Sequence, residues 1–552
     1  MKRRDLLKTM AGAVPALGLS PSFAKAFLPG GAHSESIAKG PFTPNWASLG
    51  QYKVPGWFRD AKFGIWAHWG PQCQPEHGDW YARSMYIEGD EDYEFHIKKY
   101  GHPSTFGFKD VIHTWKAENW DPAKLLELYK RAGAKYFVAL ANHHDNFDNY
   151  HSKYQPAWNA VNMGPKKDLI GGWAKAARAQ GLHFGVSVHA SHAWMFYEKA
   201  QKADTKGALA GVPYDGKITK ADGKNKWWDG IDPQELYAQN HALSVDGDIQ
   251  ETFYLQWDWS HGANVPDKKY CEKFFNRTID LINQHNPDLV YFDDTVLPLW
   301  PISDAGLRIA AHLYNKSINQ YGSLEAVING KILNAAQREC MVWDIERGQS
   351  DGIEPLPWQT DTCIGNWHYD RRVYDNHGYK TAATIVQSLA DIVSKNGNLL
   401  LSIPVRGDGT IDDQELAIVE EIAVWMKDND ECIFGTRPWK IFGEGPASAS
   451  AAALSAQGFN EGTGKPFTAE DIRFTTKQGV LYAIALGAPA NENILIKSLA
   501  EGSAYYPGNI SKVALCGSNE ALHFTRSNDG LAVTLPMGAV GKYGCALKVL
   551  EG

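Results

Sequence analysis

Histidine and carboxylate residues stand at the ends of several short apolar runs in this sequence. His68 ends one run, the residues from Asn142 to Asp145 end another, and Asp293 ends a third. When parallel strands close into a barrel, their carboxyl ends meet at one face, where the active sites of such barrels lie. We therefore treat the polar strand-end residues as one candidate site. Its members are His68, Asn142, His143, His144, Asp145, His189, Asp293, Asp294, Asp344, Glu346 and Arg347.

A pocket that holds two carboxylates and several histidines is suited to glycoside hydrolysis. In that reaction one carboxylate attacks the anomeric carbon, and the other protonates the oxygen of the leaving group. Histidine rings can both donate hydrogen bonds to sugar hydroxyls and accept them. The two carboxylates suffice for this chemistry, so we expect no metal ion and no other cofactor.

A metal centre is the competing interpretation of the same residues. His68, His143 and Asp145 are all of types that bind transition metals. Adjacent residues of an extended strand point to opposite faces, so His143 and His144 could bind one ion only if the chain bends between them. A metal-dependent hydrolase is therefore the less favoured alternative.

The elements that must position these residues alternate along the chain between Trp57 and Asn429. Short runs rich in β-branched and aromatic residues are separated by amphipathic stretches, which is typical of βα units and a parallel sheet. Eight such runs predict a closed (β/α)8-like TIM barrel. The predicted strands are residues 62–69, 135–142, 183–189, 289–293, 326–329, 341–345, 358–363 and 398–403.

Two regions interrupt this alternation. Residues 200–250 are rich in Lys, Asp and Gly and are too long for an ordinary connection, so they predict an inserted loop that is a functional lid or a mobile excursion. Beyond Trp439, the low-complexity stretch 446–457 leads into short β-rich runs that are typical of a small all-β sandwich. We predict a catalytic barrel domain over residues 27–439 and a C-terminal β-sandwich domain over residues 440–552.

Several longer motifs follow one another in the barrel region. They are Trp57 to Gly70 (WFRDAKFGIWAHWG), Asp79-Trp80-Tyr81, Lys135 to Phe147 (KYFVALANHHDNF), Tyr291-Phe292-Asp293 and Asn396 to Leu401 (NGNLLL). In this order they resemble the motifs of glycoside hydrolase family 29, the α-L-fucosidases. The resemblance implies a (β/α)8-like barrel, a C-terminal β-sandwich and a fucosylated glycan as substrate. It also implies retaining hydrolysis of terminal α-L-fucose through a covalent fucosyl-enzyme.

The resemblance assigns roles to individual residues. It implies that Asp293 is the nucleophile, while Asp294 departs from the Gly common at that position. Because neighbouring strand residues face opposite sides, we expect Asp294 to cap the next turn instead of entering the pocket. His189 stands near the place where relatives carry Tyr, and Trp257 could pack on the methyl group of a 6-deoxy sugar. The predicted substrate-binding residues are His68, Trp80, His143, His144, His189 and Trp257.

The acid/base residue is assigned to Glu346, which ends a predicted strand. Glu354, one loop further along the chain, is the alternative. Where many relatives carry Trp-Glu, this chain has Trp358-Gln359, and a Gln side chain cannot transfer a proton. If that position held the proton donor, the protein would be a catalytically silent carbohydrate-binding homologue, which is the second functional alternative.

The first 26 residues have the pattern of an export signal. A charged start with Arg3-Arg4 precedes a short stretch rich in Ala, Leu and Gly, and Ala24-Lys25-Ala26 resembles a cleavage site. The paired arginines resemble a twin-arginine signal, which is read by a receptor and does not anchor the protein. We therefore expect a periplasmic protein without a membrane anchor. The net charge of −8 and the lack of a basic run exclude nucleic acid as a partner.

Overall fold

Eight parallel strands close into a barrel in the computed structural model, which describes residues 34–245, 259, 264–448, 459–489, 491–538 and 543–552. Each strand pairs with the next in chain order, and β8 pairs with β1 to close the sheet. The strands are β1 (Phe63–Ala67), β2 (Tyr136–Asn142), β3 (His183–Val188), β4 (Leu289–Phe292), β5 (Val327–Gly330), β6 (Val342–Glu346), β7 (Trp358–Cys363) and β8 (Gly397–Ser402). The predicted barrel is confirmed.

Most of the strands are apolar because both of their faces are covered, whereas β7 carries Gln, Thr and Asp side chains. All seven residues of β2 are buried, as expected for a parallel strand with helices outside and packed side chains inside. At the lower end of the barrel Gly64 pairs with Tyr136, and a Cβ at position 64 would lie 2.4 Å from the Tyr136 ring. Glycine at this position therefore lets the aromatic ring fill the barrel interior.

Helices surround the barrel and connect its strands. Several begin at an Asp side chain that accepts a hydrogen bond from the first turn, such as Asp121 before Pro122 and Asp168 before Leu169. No helix in these described ranges has the length and apolar character needed to cross a membrane. The helices are α1 (Trp46–Leu49), α2 (Gly56–Ala61), α3 (Tyr81–Ser84), α4 (Glu91–Tyr100), α5 (Phe108–Thr114), α6 (Pro122–Arg131), α7 (Leu169–Ala179), α8 (Ala193–Phe196), α9 (Gln234–Tyr237), α10 (Lys268–His285), α11 (Ala305–Tyr321), α12 (Ala335–Arg338), α13 (Arg371–Asp375), α14 (Ala382–Ser394) and α15 (Asp413–Asn429).

The described part of the insertion, residues 200–245, packs against the barrel domain. The carboxylate of Asp215 is buried, and it accepts hydrogen bonds of 2.7 Å from the hydroxyls of Tyr86 and Tyr237. The Lys109 ammonium donates to the same carboxylate at 3.0 Å. This part of the predicted loop is therefore anchored by a buried polar network.

The C-terminal residues form two antiparallel sheets around a second apolar core, which confirms the predicted all-β domain. The first sheet begins at Arg437, ahead of the predicted boundary at residue 440. A buried ion pair between Arg473 of this sheet and Asp391 of α14 joins it to the barrel. The strands are β9 (Arg437–Glu444), β10 (Ile472–Lys477), β11 (Val480–Ala485), β12 (Asn493–Ile496), β13 (Ile510–Leu515), β14 (His523–Ser527), β15 (Gly530–Thr534) and β16 (Cys545–Glu551).

Candidate active site

A cleft with an empty volume of about 340 Å³ opens at the carboxyl ends of the barrel strands. His68 follows β1, His143 follows β2 and Asp293 follows β4. Lys331 follows β5, and Glu346 is the last residue of β6. The barrel therefore turns residues that are distant in sequence toward one space. The lining residues are Trp66, His68, Asp79, Trp80, His143, His144, His189, Tyr291, Asp293, Lys331, Glu346, Asp361, Trp367 and His368.

Most of the predicted site residues meet in this cleft. Trp257 lies outside the described residues, so its predicted contact with the sugar methyl stays a prediction. Trp259, two residues further along the chain, is buried against His192, with stacked rings at a centroid distance of 4.9 Å. The predicted residues that line the cleft are His68, Trp80, His143, His144, His189, Asp293 and Glu346.

The two candidate catalytic carboxylates are bridged by a lysine. Lys331 Nζ donates to Asp293 Oδ1 at 2.7 Å and to Glu346 Oε2 at 2.7 Å. The two carboxylate oxygens are therefore separated by no more than twice 2.7 Å, which is 5.4 Å. All three side chains are largely buried, so water screens their interaction weakly.

The surroundings of Asp293 favour its ionised form. Burial opposes the charge, but the Lys331 ammonium and contacts with His144 and His189 outweigh burial and hold the Asp293 pKa well below its ordinary value. For Lys331, burial also opposes the charge, but the neighbouring carboxylates outweigh it and raise the Lys331 pKa well above its ordinary value. The site therefore holds a carboxylate anion that is ready to act as a nucleophile, next to a permanent cation.

Two more carboxyl groups lie deeper in the barrel, below this pair. Burial and the neighbouring Asp344 raise the pKa of Asp361 well above its ordinary value, and the Tyr291 hydroxyl donates to Asp361 Oδ2 at 2.9 Å. Burial also raises the pKa of Asp344, to about 6. A raised pKa favours the protonated form of a carboxyl group, so Asp361 places less negative charge near Lys331 than an ordinary aspartate would.

The rings of His68, His143 and His189 in the cleft are neutral near pH 7, because their pKa values are lowered. Burial, together with the neighbouring rings, lowers the pKa values of His68 and His143 well below the ordinary value. Burial also lowers the pKa of His189, to about 4, although Asp293 opposes that shift. Three buried nitrogens of these rings have no hydrogen-bond partner within the described part of the chain. They are Nδ1 and Nε2 of His68 and Nε2 of His189. Buried polar atoms normally have partners, so these nitrogens are available to the hydroxyls of a ligand.

Overlapping groups of three histidines have nitrogens close enough to bind a metal. The groups are His68 with His143 and His368, and His143 with His144 and His189, each with ligand atoms within 4.8 Å of one another. His143 belongs to both groups, and the side-chain amide of Gln72 hydrogen-bonds to its ring. Gln72 Oε1 accepts from the backbone N–H of Ala82 at 3.3 Å, so its Nε2 donates to His143 Nδ1 at 2.7 Å.

This hydrogen bond fixes the tautomer of His143. In a neutral imidazole one nitrogen donates and the other accepts, so accepting at Nδ1 leaves the proton on Nε2. A metal ion needs a lone pair at the coordinating nitrogen, whereas a hydroxyl oxygen can accept the Nε2 proton. The geometry around Gln72 therefore suits His143 for binding a hydroxyl better than for binding a metal.

The two adjacent aspartates after β4 point in different directions. Asp294 is buried away from the cleft, where it accepts from the Ser191 hydroxyl at 2.6 Å. It also accepts from the backbone N–H of Thr295 at 2.9 Å, so it stabilises the turn that follows the strand. Only Asp293 reaches the cleft, as the alternation of side chains along a strand requires.

The structure does not bring Glu354 to the cleft. Its backbone N–H donates to the carbonyl of Lys395 at 3.2 Å, and Lys395 precedes β8, at the amino end of the barrel. Its carboxylate binds Ser350 at 2.7 Å and Arg338 at 3.3 Å. The chain from Glu346 to Glu354 descends the outside of the barrel, so residues near each other in sequence lie at opposite ends. Of the two candidates for the proton donor, Glu346 lines the cleft and Glu354 does not.

The Gln359 position is also separate from the cleft. The side chain is fully buried inside the barrel, where its Nε2 donates to Asp344 at 2.8 Å and its Oε1 accepts from Tyr136 at 2.9 Å. Gln359 therefore holds the barrel interior together and does not replace a proton donor in the cleft. Gln359, which stands where many relatives carry Glu, therefore removes neither Asp293 nor Glu346 from the cleft.

Several cleft residues were missed by the sequence analysis. Lys331 lies two residues after the predicted strand that ended at Asn329, so extending the strand-end rule to the fifth strand would have found it. Trp367 and His368 lie on the loop after β7, and their backbone N–H groups donate to Asp79 at 3.2 and 2.7 Å. This long-range contact brings the loop to the cleft, and no local pattern in the sequence signals it.

Replacement of Lys331 by Met should shift the pH dependence of the cleft chemistry. Without the ammonium, the two carboxylates would face each other, and the Asp293 pKa should rise, because the cation that favours its ionised form is gone. An attacking carboxylate must be ionised, so activity that falls as Asp293 is protonated should fall at correspondingly higher pH. We expect kcat/KM at neutral pH to decrease roughly 10²–10³-fold, as when a charge-stabilising donor is removed. A pH profile of kcat/KM checks this, and an unmoved acid limb would contradict it.

Comparison with known proteins identifies the family. The family model described as alpha-L-fucosidase matches residues 31–431, and the model of the alpha-L-fucosidase C-terminal domain matches residues 465–549. The chain is 24% identical over 537 residues to the tissue alpha-L-fucosidase of Rattus norvegicus, covering 94% of this chain and 93% of the relative. Its fold is similar to the crystal structure of the Thermotoga maritima alpha-fucosidase in complex with a mechanism-based inhibitor. That similarity has a TM-score of 0.66 and 25% identity, over 92% of this chain and 100% of the other. The chain belongs to the α-L-fucosidase family of glycoside hydrolases.

Proposed function

We propose that this protein is a retaining α-L-fucosidase in which Asp293 is the nucleophile and Glu346 is the acid/base. The observation that carries the proposal is the shared Lys331 ammonium, which limits the separation of the two carboxylate oxygens to 5.4 Å. Retaining glycosidases have carboxyl groups about 5–5.5 Å apart, whereas inverting ones have them about 6.5–9.5 Å apart to admit a water. The spacing therefore favours retention.

Relatives support the choice of sugar. The relatives from Rattus norvegicus and Branchiostoma floridae are both named alpha-L-fucosidases. A structure of the Thermotoga maritima alpha-fucosidase in complex with fucose is 25% identical to this chain, with a TM-score of 0.64. We propose terminal α-L-fucose on a glycan as the substrate, held by hydrogen bonds between its hydroxyls and the neutral imidazoles of His68, His143 and His144.

In the first step, ionised Asp293 attacks the anomeric carbon as the bond to the leaving oxygen breaks. Glu346 gives its proton to that oxygen, so the aglycone leaves as a neutral alcohol. A β-linked fucosyl ester on Asp293 remains. Lys331 contacts both carboxylates, so it can stabilise Asp293 before the attack and the Glu346 carboxylate after the proton has left.

In the second step, the Glu346 carboxylate removes a proton from a water molecule. The resulting nucleophile attacks the anomeric carbon from the face that the aglycone left, and the bond to Asp293 breaks. Fucose of α configuration is released, Asp293 is again ionised, and Glu346 has regained its proton. The two inversions give net retention.

Hydrolysis of a nitrophenyl α-L-fucoside tests this function. We expect release of nitrophenol by the wild-type protein and an α-fucose signal first in the proton NMR spectrum, before mutarotation produces the β anomer. The two carboxylates need no metal, so rates in EDTA should match those without it. First appearance of β-fucose would contradict retention, and loss of activity in EDTA that zinc restores would establish a metal-dependent reaction.

We also propose that the protein is exported to the periplasm. The twin-arginine pattern around Arg3-Arg4 supports this. Cell fractionation tests the proposal. Wild-type protein is expected in the periplasm, and the variant with both arginines replaced by lysine is expected in the cytoplasm. Unchanged periplasmic amounts of the variant would exclude the twin-arginine route.

A further inference from the structure

A short segment that connects two strands of the C-terminal sheet contacts the barrel. Residues 459–463, here called the docking segment, lie between β9 and β10 of the C-terminal sheet in sequence. In space they reach the carboxyl end of β6. The backbone N–H of Phe459 donates to the carbonyl of Glu346 at 2.8 Å, and that of Glu461 donates to the carbonyl of Arg347 at 3.0 Å. The docking segment therefore pairs directly with the backbone of the proposed acid/base.

The docking segment fits closely against the residues after Glu346. Asn460 Oδ1 accepts from the backbone N–H of Gln349 at 2.8 Å, and its Nδ2 donates to the Gln349 carbonyl at 3.0 Å. A Cβ at Gly348 would lie 2.6 Å from Asn460 Oδ1 and 3.1 Å from the backbone nitrogen of Phe459. The absence of a side chain at position 348 is therefore what allows this close approach.

A partly buried carboxylate, that of Glu461, connects the docking segment to the barrel. Glu461 accepts from Lys380 Nζ at 2.6 Å and from the Thr362 hydroxyl at 2.9 Å, and it lies 3.4 Å from Arg347 Nε. Burial opposes the charge, but Lys380 and Arg347 outweigh it and lower the Glu461 pKa. Glu461 thus remains ionised and links the loop after β6 to β7 and to Lys380, two residues before α14.

The backbone that this segment holds is strained. Arg347 has a φ of +45°, in the left-handed region that side chains other than Gly rarely adopt. Its N–H donates to the Asp361 carbonyl at 2.8 Å, and its carbonyl accepts from Glu461. Such conformations are strained and persist only where the surroundings enforce them, often at functional sites. The chain direction immediately after Glu346 therefore depends on contacts from the C-terminal domain.

We propose that the docking segment is a positioning element for Glu346, through which the C-terminal domain controls proton transfer in the barrel. The inference rests on the proposed role of Glu346 as acid/base. The contacts fix the backbone of Glu346 and Arg347, and through it the place from which the carboxyl group meets the glycosidic oxygen. Residues 459–463 do not contact the reacting atoms themselves, because the cleft is lined by Glu346 and not by them.

The test compares substrates that need protonation to different extents. A dinitrophenyl fucoside has a leaving group that departs without a proton, whereas a fucosylated oligosaccharide requires one. Glu461→Gln keeps the side-chain shape but removes the charge that binds Lys380, and Gly348→Ala pushes the segment away. Misplacing a catalytic group by about 1 Å can cost roughly 10²-fold, so each variant should lose about 10- to 100-fold in kcat/KM on the oligosaccharide. Less than about a threefold loss is expected on the dinitrophenyl fucoside, which needs little proton transfer.

Glu444→Gln is the matched control. Glu444 also lies in the C-terminal sheet and accepts backbone hydrogen bonds of 2.7 Å from Lys497 and Ser498, but it does not touch the barrel strand ends. This variant should keep the wild-type ratio of the two rates. Thermal unfolding of every variant separates a local effect from loss of the fold, since only folded variants with normal rates on the dinitrophenyl fucoside count as support.

The outcomes separate this inference from the proposed function. If Glu346→Ala selectively loses oligosaccharide activity but Glu461→Gln and Gly348→Ala keep the wild-type ratio, the docking segment has no positioning role. If Glu461→Gln still slows oligosaccharide cleavage by the same factor in the Glu346→Ala background, it acts through another group and the inference is overturned. If Glu346→Ala itself loses both substrates equally, the assignment of the acid/base fails instead.

Discussion

Asp293→Gly should lower kcat for α-L-fucoside hydrolysis by roughly 10⁴–10⁶-fold, the scale of loss when an enzyme's nucleophile is removed. The ester to the enzyme cannot form, because glycine offers no oxygen to the anomeric carbon. Fucose binding should remain measurable by isothermal titration, since the histidines and Trp80 still line the cleft. Lys331 keeps a carboxylate partner in Glu346, so the variant should also fold.

Azide distinguishes loss of the nucleophile from loss of the fold in the Asp293→Gly variant. A small anion can occupy the space vacated by the carboxylate and attack the anomeric carbon from the same face. Rescue of an aryl fucoside by azide should therefore give a fucosyl azide of β configuration, through a single inversion. Asp294→Ala is the control, because Asp294 binds Ser191 and the following turn and does not reach the cleft. Retention of most activity in Asp293→Gly would contradict the assignment.

Glu346→Ala should reduce cleavage of a fucosylated oligosaccharide by about 10²–10⁴-fold, the usual contribution of a general acid/base. A dinitrophenyl fucoside should still form the fucosyl-enzyme at a near-normal rate, because its leaving group needs no proton. Release of the sugar would then limit turnover, since no base activates water. Burst kinetics with the aryl substrate measure this directly.

Azide also tests the role of Glu346, with the opposite stereochemical result. It attacks the fucosyl-enzyme without a general base, so it should accelerate turnover of the aryl substrate and give a fucosyl azide of α configuration. Glu354→Gln, at the other end of the barrel, should behave like wild type on both substrates. Rescue in the Glu354 variant, together with normal oligosaccharide cleavage by Glu346→Ala, would transfer the role to Glu354.

The sequence pattern predicted the eight strands of the barrel and some of the residues that line its cleft. Most strands that are buried on both faces are apolar, and all eight predicted strands lie within a few residues of the observed ones. Polar residues at the ends of several strands then indicated the cleft, which depends only on local periodicity and on the closure of a parallel sheet. The alternation of side chains showed that only one of Asp293 and Asp294 could enter the cleft, and the resemblance to the family motif indicated Asp293.

Contacts between segments that are distant in sequence could not be predicted from local patterns. The position of Glu354 depends on a connection from β6 to β7 that descends the barrel without the expected helix, so its distance from the cleft could not be inferred from its nearness to Glu346. Asp79 holds the loop that carries His368, across almost three hundred residues of sequence. The docking segment returns from a different domain, and no periodicity signals where such an excursion will bind.

Peptide mapping after covalent trapping tests the central claim most directly. A fluorosugar inactivator that forms a long-lived fucosyl-enzyme should label the wild-type protein once per chain, and mass spectrometry after proteolysis should place the added fucosyl group on Asp293. The Asp293→Gly variant should remain unlabelled under the same conditions. A label on Asp294, on Glu346 or on any other residue, or the absence of a covalent adduct during turnover that retains configuration, would contradict the account.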